Sequence, residues 1–396
     1  MLFSTEAQQK ILNSVKEFRT GNLNILESLG FVLAQNIKAR KDIPTFDISL
    51  KKGYAVRTID IKGADPSYPV KLRIIKGIPP EDHTGIAIEP GFCIPISACD
   101  QIPGNCDCVV TRDNSEVDKN YLLVYTECQK GENIKFQSED INRSDVLLKK
   151  GKVIFPEDIS MLAFLGMEKI EVITSPYVGI ISAGGRPNAY LNFGCTRDIT
   201  GYLLSAKLKE LKVFHNRFGI ASEAGQELEK KIAEALKVCG VLLVTGGSFL
   251  NDLLQSMGAG LIFKDVSQKP YSNFAFFNFK GNKVFVLPQE LVPALMCFEI
   301  YIRPFLKKIM GHEKIFRNPV KAKALNAISH KKGATEFRLA LLFREEGKLF
   351  FEAIDEKYYS RLTSLINADG IARFPGSMGD IEKNSEIDLF LLKEQG

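Results

Sequence analysis

Val241-Leu242-Leu243-Val244 is an unbroken apolar run that leads straight into Thr245-Gly246-Gly247-Ser248 and its glycine pair. A half-buried strand alternates apolar and polar side chains, whereas a strand apolar at every position must be covered on both faces. The glycines admit a tight strand-to-helix turn and close approach of backbone N–H groups to an anion. Asp252 then reads either as an acid near the N-terminus of the following helix or as a ligand-side carboxylate.

The same rhythm extends in both directions. Tyr177 to Ile181 is a buried-strand pattern ended by Ala183-Gly184-Gly185, and Asp198 can cap a helix bearing Leu203, Leu204, Leu208 and Leu211. A second helix carries Leu228, Ile232 and Leu236. Val284-Phe285-Val286-Leu287 meets Pro288 and precedes an apolar helix from about Leu291 to Lys308. Buried strands alternating with helices predict a parallel sheet covered on both faces. Ligands of such sheets bind outside the carboxyl ends of the strands, so the turns at 183–185, 245–248 and 287–289 should share one edge.

Further out the texture changes. Near the start, Thr5 and Gln8 can form a capping box for a helix with Ile11, Leu12, Val15 and Phe18 on one face. A second helix is expected from about Ile25 to Ile37, with Leu26, Leu29, Leu33 and Ile37 aligned. From Ile43 to Cys128 short β runs follow: Tyr54–Val56, Val70–Ile75, Ile86–Ile88, Val109–Val110 and Tyr121–Tyr125. Pro156 near the start and Gly166 past the end mark one more helix. The tail is β-rich again, at Phe337–Phe343, Lys348–Ile354 and Glu386–Leu392. The fold class is therefore multidomain α/β, a three-layer α/β domain accompanied by β-rich parts.

The 396 residues are 45% apolar and 25% charged, the norm for a globular chain. No segment approaches the roughly 20 apolar residues of a membrane span, and Met1–Lys16 has no signal-peptide core. A cytoplasmic location is expected. The net charge of +5 comes from Lys and Arg scattered among acids, with no basic stripe, so neither nucleic acid nor membrane is an expected partner. Among eight cysteines, Cys93, Cys99, Cys106 and Cys108 form one cluster without paired C-x-x-C units. Reduced thiols, buried or half-buried, are the simpler reading, and a metal site is the other. His83, His215, His312 and His330 show no ligand spacing and read as surface or loop residues.

A longer pattern runs through the chain. Pro44-Thr45-Phe46-Asp47-Ile48-Ser49-Leu50-Lys51-Lys52-Gly53-Tyr54-Ala55-Val56 follows the first helices, and Gly131-x-Asn133 leads to Ser138-Glu139-Asp140-Ile141. Gly246-Gly247, Lys269-Pro270 and Leu287-Pro288 come next, then Gly333-Ala334-Thr335-Glu336-Phe337-Arg338, Ser360 and Asn367-Ala368-Asp369-Gly370. In this order the motifs resemble those of the molybdopterin molybdenumtransferase family, the MoeA proteins and the gephyrin E domain, over essentially the whole length. The resemblance implies residues 1–45 and 131–175 as an elongated linker and dimerisation domain and 46–130 as an inserted β-rich domain. It further implies a molybdopterin-binding-like α/β domain at 176–315 and a C-terminal β barrel at 316–396. It also implies a homodimer that inserts molybdate into adenylylated molybdopterin with Mg²⁺. Ser49, Gly246, Gly247, Pro288, Arg338 and Ser360 match substrate-binding positions, and Asp252 and Lys269 are what remains of the reacting set.

The departures concentrate on carboxylates. Lys52 replaces the acid of the family's MDGYA segment, and Ala98 replaces the threonine of a TGA turn, although Pro103 and Asp107 remain. Gly185 and Arg186 replace both acids of a TGDE turn, and Leu254 replaces the second acid after the glycine pair. KPGKP becomes Lys269-Pro270-Tyr271-Ser272-Asn273. Mg²⁺ requires oxygen ligands at fixed geometry, so these losses argue against the metal chemistry. Two functions therefore stand: molybdate insertion, or a non-catalytic paralogue that binds molybdopterin, a nucleotide or a partner protein as scaffold or carrier.

Overall fold

The run Val241–Thr245 is a strand buried at every position. In this computed structural model, which describes residues 2–79, 83, 85–184, 198–221 and 226–393, it lies inside a six-stranded sheet. The strand order is His215–Ala221, Val178–Ala183, Val241–Thr245, Asn282–Leu287, Ala275–Phe279, Gly260–Lys264. The first four run parallel and the last two join antiparallel. Ser182 pairs with Thr245, and Thr245 with Leu287, so the turns after these residues leave the sheet at one edge.

Both faces of this sheet are covered. On one, Leu228, Ile232, Leu250 and Leu254 pack on Ile181, Leu242 and Val244. The alternate residues present an aromatic stack: Phe274 lies 4.6 Å from Tyr301 ring to ring, Phe276 lies 4.6 Å from Phe285, and Phe305 meets Phe285 edge-on at 5.3 Å. Asp198 caps the helix Ile199–Glu210 as expected, its Oδ1 accepting from the Gly201 N–H at 2.8 Å.

The long apolar helix from Leu291 has three parts: α-helix to Cys297, a π turn over Phe298–Ile302, and α-helix over Arg303–Ile309. Pro304 cannot donate to the carbonyl four residues earlier, which is that of Ile300. Gln8 supplies the missing donor, its Nε2 reaching the Ile300 carbonyl at 2.9 Å. This explains why the Thr5–Gln8 capping box does not form. Glu6 accepts from the Phe3 N–H at 3.0 Å instead, and the helix Ser4–Asn13 ends before Val15 and Phe18.

The helix expected over Ile25–Ile37 is absent. Thr20–Asn24 and Val32–Leu33 are strands pairing with Lys169–Ile173, joined by a turn in which Gly30 takes φ +81°. The apolar spacing was helical, but Gly30 breaks the turn, Leu26 stays exposed, and Val32 and Leu33 are buried side by side.

Five strands, Val320–Ala324, Thr335–Glu345, Lys348–Ala353, Gly370–Phe374 and Glu386–Leu391, close into a C-terminal barrel. Val266–Lys269 adds to this sheet beside Thr335–Glu336, and Leu2–Phe3 pairs with Val266–Ser267. All of these elements belong to one compact unit, residues 1–34, 153–159 and 168–396.

The second unit, residues 35–152 and 160–167, holds a six-stranded sheet. Ile86–Ile88 is not one of its strands, because the Asn105 side chain takes both backbone groups of Ile88, at 2.6 and 2.5 Å. Cys93 and Cys108 are buried in one core cluster and Cys106 in another, while Cys99 is exposed. Two histidine readings are corrected. His83 is buried with Nδ1 3.1 Å from the Gln101 carbonyl, and His330 is buried between Glu336 and the Pro375 carbonyl, at 2.9 and 3.2 Å. The partners of these rings lie 6, 18 and 45 residues away, outside any metal-ligand spacing.

Candidate functional site

Three turns at the carboxyl edge of the parallel strands are laced together. The Gly246 N–H donates to the Leu287 carbonyl at 3.0 Å, and Gln289 Nε2 donates to the Gly184 carbonyl at 2.7 Å. Thr200 Oγ1 in turn donates to the Gln289 carbonyl at 2.7 Å. Gly246 is required here: a Cβ would stand 2.8 Å from Leu250 Cδ1 and 3.1 Å from the Ala183 carbonyl.

The edge leaves hydrogen-bonding capacity unspent. The N–H groups of Gly247 and Ser248 meet no acceptor among the described residues, and they precede the helix Phe249–Ser256. Such groups favour an anion. Nearby, Thr245 Oγ1 and Asn251 Oδ1 are buried without a partner. An unpaired buried polar atom costs about 1–3 kcal/mol, which a ligand carrying matching groups would recover. Thr245 and Asn251 escaped the sequence reading, because only burial distinguishes them from ordinary strand-end and helix residues.

The retained and altered motif residues divide among several places. Gly246, Gly247, Pro288 and Asp252 belong to this edge, with Pro288 buried and Asp252 exposed. Leu254 is buried in the core beneath the helix, on the same side as Leu250, and so does not face the edge. Ser49, Lys52 and Ala98 belong to the second unit. Ser49 is buried and donates to the Lys51 carbonyl at 2.6 Å, whereas Lys52 and Ala98 are exposed. Asp107 accepts from the Thr58 N–H and Oγ1, at 2.7 and 2.8 Å. Gly185 and Arg186 lie outside the described residues.

Lys269 and Arg338 meet at a polar cavity of about 420 Å³, shared with Glu336, Glu352, Asp355 and Glu356. The strand pairing of Lys269 with Glu336 explains the meeting. Arg338 spends part of its fork internally, donating to Glu336 at 2.6 Å and to the Ser329 carbonyl at 2.8 Å. Burial opposes ionisation of Glu336, but Arg338 and His330 outweigh it and hold the carboxyl below its ordinary value. Ser360 is exposed and is not part of this lining. Two residues beyond Lys269, the Tyr271 hydroxyl donates to the Gly246 carbonyl at 3.4 Å, so one turn borders both the cavity and the edge.

The donor set does not fit Mg²⁺, a hard cation bound through one or two carboxylates at near-octahedral geometry. Among the described residues no three His, Cys, Asp or Glu side chains converge. Of the other acids near the edge, Asp198 is spent, with Ser182 donating to Oδ1 at 2.6 Å and Arg217 3.7 Å from Oδ2. Glu290 follows the Leu287–Gln289 turn, where burial and then this acid's charge raise the Tyr271 phenol pKa.

Comparison with known proteins covers both ends of the chain. Residues 3–166 match the family model described as MoeA N-terminal region (domain I and II), and residues 321–392 match MoeA C-terminal region (domain IV). The chain is 27% identical to a molybdopterin molybdenumtransferase of Bacillus subtilis, across 98% of this chain and 94% of that protein. It is 26% identical to one from Staphylococcus aureus, with the same coverage of 98% and 94%. A crystal structure titled molybdopterin biosynthesis moea protein from Pyrococcus horikoshii superposes with a TM-score of 0.85 at 24% identity, covering 100% of both chains.

Proposed function

The chain belongs to the MoeA family and is a protein of molybdenum-cofactor biosynthesis, and from that premise we propose that it binds molybdopterin at the edge around Gly246. The observation that carries this reading is the pairing of free Gly247 and Ser248 N–H groups with the orphaned Thr245 Oγ1 and Asn251 Oδ1. The N–H groups suit a phosphate. Asn251 Oδ1 accepts only, so the ligand must also bring N–H or O–H donors. A pterin phosphate has both.

The binding needs no Mg²⁺, since no three His, Cys, Asp or Glu side chains converge among the described residues, and Lys269 supplies the cation beside the edge, Arg338 being paired with Glu336. A nucleotide meets the same requirement and is the competing ligand. On this reading the protein is a cytoplasmic homodimer that holds or carries molybdopterin. The observation favouring the carrier role over molybdate insertion is the spent state of Asp198 together with the burial of Leu254. Titration of the purified protein with molybdopterin in chelator-treated buffer tests it. Saturable micromolar binding is expected, and strict dependence of binding on added Mg²⁺ would overturn it.

A further inference from the structure

Two thiols of the second unit meet in its core. Cys108 is fully buried at the start of the strand Cys108–Thr111. Cys128, half-buried, packs into the same cluster from the segment after the strand Tyr121–Val124. The two thiols are in hydrogen-bonding contact, and Cys128 Sγ also donates to the Val109 carbonyl at 3.7 Å. Backbone bonds set this approach. The Gly131 N–H donates to the Asp107 carbonyl at 2.7 Å, and the Val109 N–H to the Glu132 carbonyl at 3.1 Å. Asn133 Nδ2 adds a third tie, to the Val109 carbonyl at 2.8 Å. The contact with Cys128 and then burial push the Cys108 thiol well above its ordinary pKa. Cys108 is therefore shielded and protonated, and the sulfur that solvent reaches is that of Cys128.

We propose that Cys108 and Cys128 form a redox-modification site, which a peroxide converts into a reversible disulfide by way of Cys128. The Cys128 thiolate attacks one oxygen of hydrogen peroxide, breaking the O–O bond to give a sulfenic acid and, with a proton, water. Cys108 sulfur then attacks Cys128 sulfur. The S–S bond forms, the S–O bond breaks, and hydroxide leaves with the Cys108 proton as water. Two thiols have lost two electrons and two protons, and one peroxide has become two waters. A small-molecule thiol reverses the step by exchange. The pairing is selective. Cys99 is exposed and belongs to neither core cluster, and Cys106 lies in the other one. Cys93 shares the cluster but is fully buried, so it is not the first to react. The bond pins the strand that pairs with Gly53–Val56 to the segment leading into Gly131 and Asn133.

Full-length protein treated with hydrogen peroxide, alkylated, and digested without reduction tests this by mass spectrometry, with thermal melts in parallel. Wild type should yield one peptide pair joined through Cys108 and Cys128 and melt about 5–10 °C higher, both reversed by dithiothreitol. Cys108→Ala should show no such rise and leave Cys128 as a sulfenic acid that dimedone traps. Cys128→Ser, at a half-buried position, should leave Cys108 unoxidised, and it decides the matter should Cys108→Ala fail to fold. A cross-link from Cys128 to Cys93, or Cys108 still a free thiol once Cys128 has reached sulfinic acid, would overturn the proposal. So would oxidation of Cys108 in Cys128→Ser.

Discussion

Arg317 Nε, itself half-buried, lies 2.9 Å from Glu299 Oε2, which is buried in the π turn of the long apolar helix. Lys207 and Arg303 approach the same carboxylate at 3.0 and 3.8 Å. Burial opposes the charge of Glu299, but Arg317 and Lys207 outweigh it and keep the carboxyl below its ordinary value near 4.5. Glu299→Gln removes the buried carboxylate shared by three cations, of which Lys207 and Arg317 keep Glu210 at 2.8 and 3.4 Å, and it should cost about 3 kcal/mol in urea unfolding. Arg317→Met leaves Lys207 in place and should cost roughly half as much. The stability Glu299 contributes is present above its unfolded pKa and lost as pH falls below about 4.5. Equal costs for the two variants would contradict this account.

His312 acts in a higher pH window. Burial, then Lys307 and Arg303, lower its pKa from 6.5 to about 4. The ring therefore stays neutral in the fold while the unfolded chain takes up a proton. Stability should fall by about 1–2 kcal/mol as pH drops from 6.5 to 4, after allowing for partial exposure. His312→Gln should flatten that slope in pH-dependent thermal melts.

Two glycines should rank in opposite order for stability and binding. A Cβ on Gly53 would stand 2.2 Å from the Val110 carbonyl, a backbone atom that cannot yield. Gly53→Ala should cost about 3 kcal/mol or more. At Gly246 the nearest atom is the flexible Leu250 Cδ1, so Gly246→Ala should cost about 1–2 kcal/mol yet abolish molybdopterin binding. Chemical denaturation and ligand titration separate the two effects.

Charge removal at the cavity should follow how each cation is already engaged. Lys269→Ala should weaken molybdopterin binding by about 1.5–3 kcal/mol, the worth of a charge-assisted hydrogen bond. Arg338→Ala should weaken it less, because Glu336 and the Ser329 carbonyl already hold its fork. Calorimetric titration showing the reverse order would reassign the anion contact.

Assembly is predicted to be dimeric. Sedimentation at micromolar concentration should give twice the 44.1 kDa chain mass, with an interface above about 2,000 Å². A clean monomer would remove that part of the functional reading.

The central sheet was legible because Val241–Val244 and Val284–Leu287 are apolar at every position, a pattern that two-sided burial produces. Asp198 was legible as a cap because its partner is three residues away. Where the reading failed, a distant partner decided. Gln8 left its capping box for a carbonyl freed by Pro304, and within residues 25–37 Val32 and Leu33 joined the strand beginning at Lys169. The edge at 246–248 was predicted from topology, but its particular chemistry was not. Tyr271 looked like a lost glycine, and its contact with Gly246 spans 25 positions that no local pattern encodes. The burial of Leu254 was equally invisible in the motif comparison, although its spacing from Leu250 is that of one helix face.

The strand Val266–Lys269 has a consequence for how the protein is made. It pairs with Leu2–Phe3 on one side and with Thr335–Glu336 on the other, partners hundreds and tens of residues away. Pairing over such separations is slow, because loop-closure entropy is lost before any contact offsets it. A ribosome must have released both neighbours before this strand can settle. The turn it feeds, with Lys269 and Tyr271, would then be among the latest features to form during synthesis, leaving nascent chains with a finished sheet that lacks this turn.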